Sequence, residues 1–184
     1  MESLLALVAL LSSWSIRMNL TGHREPGRAL RGLVLESVAL LGVLPSFRSA
    51  VDLGSGAGFP GLPWAILHPE RRVVLVESRE RRHHFQRAAI RQLGLSNVVS
   101  LRGRLEELDP EPVDAVVAQA VGPARSIIPM MLPWARLGGF VAIPCGPNPP
   151  EIGQVAGLGE AHFLPYRVPL GGPARGVWIA DRDS

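Results

Sequence analysis

The run Val51-Asp52-Leu53-Gly54-Ser55-Gly56-Ala57-Gly58-Phe59-Pro60-Gly61 constrains this chain more than any other stretch. Ser49, Ala50, Val51 and Leu53 make an apolar strand. Gly54, Gly56 and Gly58 then let the backbone turn through positive φ and come close to a ligand with no side chain in the way. Such a turn at a strand end suits a nucleotide-containing cofactor. The spacing is Gly-x-Gly-x-Gly with Asp52 two positions ahead, whereas the dinucleotide fingerprint needs Gly-x-Gly-x-x-Gly, and Phe59 stands where its last glycine belongs. That departure favours S-adenosylmethionine over NAD. A tight strand-to-helix turn of purely structural purpose is the competing reading.

A second carboxylate follows at a useful distance. Leu62 to Leu67 suits a short helix, and Arg72-Val-Val-Leu-Val-Glu77 reads as a buried parallel strand that ends in an acid, 25 positions after Asp52. A carboxylate at the end of a second strand can accept both hydroxyls of a ribose, and Ser78 opens the helix behind it. A surface acid at a strand end is the alternative.

Composition sets outer limits. In 184 residues, 47% of them hydrophobic, one compact α/β domain is the natural expectation. All 19 basic residues are Arg and none is Lys, which rules out a Walker or Schiff-base lysine. Arginine-only usage reflects either codon bias or selection for phosphate-binding forks. Cys145 is alone, so there is no disulfide framework and no Cys-rich metal site, and a cytoplasmic location is expected. His23, His68, His83 and His162 are scattered without a metal-binding spacing. The apolar start carries Glu2 where a signal peptide needs a basic region, and it is too short to span a bilayer. Residues 3–17 read instead as a helix packed on the domain, and no membrane association is expected.

Onward, the pattern alternates helix and strand as in a doubly wound sheet. Helices are predicted over 27–42, 80–93 and 123–137, the last kinked or shortened by Pro129 and Pro133. Buried strands are predicted over 97–101, 114–118 and 139–143, a Pro- and Gly-rich loop over 144–160, and a closing strand pair over 162–168 and 176–180. In the 80–93 helix, Phe85, Ala88, Ala89 and Leu93 face the sheet while His84, Arg87 and Arg91 line the other side. With Arg81 and Arg82 they form the densest basic patch, either an RNA contact or a solvated face. Asn148-Pro-Pro lacks the aromatic of an amino-methyltransferase motif and reads as loop chemistry.

Asp52-Leu-Gly-Ser-Gly-Ala-Gly-Phe-Pro-Gly61 resembles the first motif of the RsmG (GidB) family, bacterial 16S ribosomal RNA guanine-N7 methyltransferases. Trp14 with Asn19-Leu20-Thr21, Glu77-Ser78 with Arg81, Arg82 and Phe85, Leu93-Gly-Leu-Ser-Asn97-Val, and Arg104-Leu105-Glu106 resemble that family's pattern in the same order. The resemblance covers nearly the whole chain. It implies a class I methyltransferase fold, Rossmann-like and mostly parallel, as a single domain over 1–184 with an N-terminal helical cap (1–45) and a core (46–184). It also implies S-adenosyl-L-methionine as cofactor, a monomeric cytoplasmic enzyme, and 16S ribosomal RNA or a small-subunit precursor as partner. The cofactor-binding residues expected are Asp52, Gly54, Ser55, Gly56, Gly58, Phe59, Glu77, Ser78, Leu105, Glu106 and Gln119. Asp52 either orients the loop or meets the amino-acid part of the cofactor, and Glu106 marks an adenine pocket.

Four positions depart from the family pattern. Leu33 stands in place of a His, with Glu36 conservatively replacing an Asp before Ser37; Gln119 replaces an Arg, and Cys145 a Lys. The N-terminal region is also shorter than the resemblance leads one to expect. These changes fall on the RNA side and leave the cofactor loop intact. Guanine N7 carries its own lone pair, so its methylation needs positioning and charge tolerance rather than a catalytic dyad, and no catalytic residue or metal is expected. The missing cations leave a second possibility, a diverged member that binds S-adenosylmethionine or RNA without methylating.

Overall fold

The structure, a computed structural model, describes residues 2–18, 20 and 26–183. Asn19, Thr21 and His23 of the sequence reading lie outside the described residues. Helix α1 (Glu2–Met18) is followed by α2, which runs from Pro26–Ala29 through a π-helical stretch, Leu30–Leu35, into Glu36–Leu41. Then come β1 (Ser49–Leu53), α3 (Gly61–Leu67), β2 (Arg72–Glu77), α4 (Glu80–Gln92), β3 (Val98–Arg102), β4 (Val113–Ala118), α5 (Ala124–Met131), β5 (Ala135–Cys145), β6 (Leu158–Arg167) and β7 (Ala174–Arg182). No helix among the described residues is long and apolar enough to cross a membrane.

The seven strands form one sheet of order β3-β2-β1-β4-β5-β7-β6. The first five are parallel; β7 runs antiparallel to β5, and β6 antiparallel to β7. Alternate residues of each strand face opposite layers. On one face Val51, Leu53, Val74, Val76, Val116 and Val141 pack against Ile127, Ile128 and Met131 of α5. On the other, Val73 and Leu75 meet α1 to α4, where Trp14 stands edge-on to Phe85 at 5.7 Å. Burial on both faces is why these strands read as continuous apolar runs rather than alternating ones.

Several boundaries differ from the sequence reading. The 123–137 helix stops at Met131, because Pro133 cannot donate to a further α-turn; Leu132–Trp134 tighten into a 3-10 turn and the chain is extended from Ala135. β5 therefore begins earlier than expected, and it runs through Pro144 and Cys145. β6 takes up Leu158 to Glu160, which were expected as loop. β3 is a sheet edge rather than a buried strand, with Val99 46% and Leu101 38% exposed.

Asn97 ties the β2 edge to the loop before it. Its amide Nδ2 donates to the carbonyls of Ala65, His68 and Arg71 at 3.0, 3.1 and 2.9 Å. At the bottom of β4, Asp114 accepts the N–H groups of Arg48 and Ser49 and the Arg136 guanidinium. Burial works against that charge, yet these donors hold the carboxyl down at about 2. Asn97→Ala leaves three carbonyls without their shared donor, so the unfolding free energy should drop by about 1–3 kcal/mol in denaturant titration.

Candidate functional site

The strand order reverses between β1 and β4, and the loops leaving their carboxyl ends, Gly54–Pro60 and Gln119–Pro123, face each other across the crevice this creates. Gly54 turns at φ +68; a Cβ there would meet Val121 Cγ2 at 2.6 Å, so only glycine lets the two loops approach this closely. Ala120 opposite also lies in the left-handed region, at φ +55.

The glycine loop is braced from below by buried hydrogen bonds. Ser55 donates both its N–H and its hydroxyl to the Val76 carbonyl, at 2.9 and 3.2 Å. Gln86, fully buried on α4, donates from Nε2 to Ser55 Oγ and to the Gly56 carbonyl, each at 2.8 Å. Its Oε1 accepts the Ser100 hydroxyl at 2.6 Å, so Ser100 in turn receives the His83 Nδ1 proton at 2.7 Å. Burial and the nearby Arg87 push the His83 pKa down. Sequence reading passed over Gln86. Its signal was a polar residue on the apolar face of an amphipathic helix, next to Phe85.

Asp52 lies under this loop rather than in the crevice. Its Oδ2 accepts the Gly61 N–H at 2.9 Å, which orients the loop; Oδ1 is buried without a hydrogen-bond partner among the described residues. Burial raises its pKa to about 7 despite the Gly61 N–H, and the Glu77 charge adds to the rise. Glu77 ends β2 and is buried. Its Oε1 accepts the Arg79 N–H at 2.7 Å, and Oε2 is 3.6 Å from Arg82 Nη1.

Two cavities meet at Gly54. The first, about 330 Å³, is lined by Val76, Ser78, Leu105 and Glu106 on one side and by Val121, Ile127 and Met130 on the other. The second, about 320 Å³, is lined by Ser55, Gly56, Phe59 and Arg82, and by Leu33, Glu36 and Gln119. Gly58 lines neither; it packs against Leu62 and Gln86. The structure thus brings Gly54, Ser55, Gly56, Phe59, Ser78, Leu105, Glu106 and Gln119 around one crevice, with Asp52, Gly58 and Glu77 in its supporting wall. The α5 contribution, Ile127 and Met130, had no sequence signal beyond an ordinary apolar helix face.

Helix α2 contributes Glu36 and Ser37 to the polar lining of the second cavity. The π-helical stretch precedes Glu36 directly, a feature common near functional sites. Glu36 Oε1 accepts Gln119 Nε2 and Arg175 Nε, both at 3.2 Å. Burial and the Glu36 charge push the Tyr166 phenol well up, and its hydroxyl has no partner among the described residues. Cys145, at the end of β5, turns its thiol to the Gly176 carbonyl at 3.5 Å and lines neither cavity.

Asp52 yields a signed prediction. Its folded value lies above the ordinary 3.8, so the folded protein keeps this proton longer than the unfolded chain does. Its contribution to stability therefore falls as pH rises from about 4 to about 7 and is level on either side. Asp52→Asn, measured against the parent by denaturant unfolding at successive pH values, should gain relative stability across that window and no further above it.

Comparison with known proteins gives this arrangement a family. The family model described as rRNA small subunit methyltransferase G, GidB, matches residues 1–148. Proteins of that name from Methylococcus capsulatus and Azoarcus sp. are 36% and 33% identical, over 84% and 92% of this chain and 76% and 80% of theirs. One from Pasteurella multocida is 42% identical over 65% of this chain and 57% of its own length. Among solved structures, cofactor-bound Rv0187 from MTB superposes with a TM-score of 0.67 at 18% identity, covering 100% of this chain and 91% of that one. M. jannaschii TYW2 in complex with AdoMet gives 0.61 at 14%, covering 83% and 77%. The fold is that of class I methyltransferases. With its glycine loop, its strand-end acid and four-fifths of its length matched, the chain belongs to the rRNA small subunit methyltransferase G family.

Proposed function

We propose that this chain, as a single domain with residues 1–45 capping the core, transfers a methyl group from S-adenosylmethionine to N7 of a guanine in 16S ribosomal RNA. The carrying observation is the pair of cavities joined at Gly54, one beside the strand-end acid and one lined by polar groups from α2 and β4. The residues fit the cofactor. Gly54 leaves a cradle that a Cβ would fill, and Glu77 ends β2 directly before Ser78, which lines the first cavity. Bound S-adenosylmethionine supplies an electrophilic methyl group on a sulfonium sulphur.

The chain's own residues hold and orient. Glu77 accepts the ribose hydroxyls, while Ser78, Leu105 and Glu106 enclose the adenine. Gly54, Ser55 and Gly56 present backbone at the junction, and Asp52 fixes the loop from beneath. Phe59, Leu33 and Gln119 shape the second cavity for the base. Because N7 has a free lone pair, no residue needs to remove a proton, and rate comes from alignment and from tolerance of positive charge. The partner is 16S ribosomal RNA or a precursor of the small subunit. It meets a cytoplasmic monomer, and the exposed His84, Arg87 and Arg91 of α4 offer its phosphates a basic face.

A second reading, a relative that binds without methylating, is favoured by Leu33 and Gln119 in the target-side cavity and by Cys145, where the family pattern carries His, Arg and Lys. Labelled methyl transfer to unmodified small-subunit RNA and particles, with the product nucleoside identified, separates the two. Label in 7-methylguanosine is expected; cofactor binding without transfer would establish the second. In calorimetry S-adenosylmethionine should bind and NAD should not. Glu77→Ala should weaken cofactor affinity by about 1–3 kcal/mol, as for a lost buried hydrogen bond. Reversing Arg87 and Arg91 to Glu should lower RNA affinity and flatten its salt dependence, read by titrating RNA at several salt concentrations.

A further inference from the structure

We propose that Glu36 reads the Watson–Crick edge of the target guanine and stabilises the charge that methylation places on it, an inference that rests on the guanine-N7 reading above. Three carboxylates are buried among the described residues: Glu36, Asp52 and Glu77. Asp52 holds the Gly61 N–H under the loop, and Glu77 stands at the end of β2 beside Arg79 and Arg82, on the cofactor side proposed above. Of the three, Glu36 alone lines the second cavity. Leu20, Leu33, Ala57 and Phe59 give that cavity its apolar walls, and Glu36, Gln119 and Arg82 its polar ones.

The carboxylate is held in place from two separate elements. Gln119, after β4, and Arg175, on β7, both donate to Oε1 at 3.2 Å. Such fixed orientation matters because a preoriented charge costs no reorganisation during reaction. Only guanine among the four bases offers two adjacent donors, N1–H and the 2-amino group, to a carboxylate. Adenine has an acceptor at N1, cytosine an acceptor at N3, and uracil flanks its single N–H with two carbonyls. An uncompensated acceptor against a buried anion is expensive, so the discrimination is steep.

The same contact favours the chemistry. N7 forms its bond to the methyl carbon with its own lone pair, the carbon–sulphur pair stays with the departing thioether, and the guanine becomes cationic. That charge spreads across the ring and makes N1–H a stronger donor. The bond to Glu36 is therefore stronger in the transition state than before it, which is the condition for lowering the barrier.

The test uses the full chain saturated with S-adenosylmethionine, and small-subunit RNA whose methylated guanosine has first been mapped with the parent protein. Glu36→Gln preserves size and removes the charge. It should leave cofactor affinity unchanged, lower kcat roughly tenfold or more, and weaken equilibrium binding of a target-containing oligonucleotide. On RNA with 1-methylguanosine at the target, parent and variant should be equally slow, because the contact is already gone. A variant with parental kcat, or one still slowed by a further factor on 1-methylguanosine, would overturn the assignment. If Glu36→Gln does not fold, the parent alone decides: equal binding and turnover of guanosine and 1-methylguanosine would refute it. A parent that transfers no methyl to any guanosine sinks the functional reading instead, and oligonucleotide discrimination by Glu36 is then still read from binding.

Discussion

Two loops meet at the crevice where the bare backbone of Gly54 lies against the Val121 side chain, and the rest of the site is arranged around that contact. At Gly54 the backbone takes a left-handed turn and passes so close to Val121 that one methyl group would collide. A loop this tight exposes polar backbone to a buried setting, and each such group needs a partner. The Val76 carbonyl of β2 and the Gln86 amide of α4 supply them, and the Asp52 carboxylate secures the far end through Gly61. The His83–Ser100–Gln86 chain extends this bracing to the sheet edge at β3.

Asp52 illustrates how costly such bracing can be. A carboxylate with one oxygen unpartnered and fully enclosed is driven toward its neutral form, and its pKa rises to about 7. In that form it still accepts the Gly61 N–H. Glu77, the other buried acid nearby, has a backbone N–H and the Arg82 guanidinium beside it. The two acids therefore have different surroundings, one oxygen of Asp52 being left without a partner among the described residues.

The second cavity shows a different solution. Arg82 of α4 lines this cavity, and the closing hairpin adds a second cation behind it: Arg175 on β7 reaches Glu36 on α2. Two segments 139 residues apart thus form one polar corner, with the Tyr166 phenol beside it. The antiparallel return of β7 next to β5 makes that meeting possible.

Much of this was legible in the chain itself. The apolar run into three glycines, the acid closing the next strand and the Phe-Pro-Gly ending marked the glycine turn and the family, because these depend on backbone conformation and strand burial over a few neighbouring residues. Helix and strand order followed from periodicity, and Pro133 foretold the early end of α5. Only the tertiary structure decided that Asp52 lies beneath the loop, that Gln86 braces it, that β3 is an exposed edge and that Arg175 pairs with Glu36. Each of those depends on which residues the sheet order brings together across long stretches of chain, and local pattern carries no record of such distant partners.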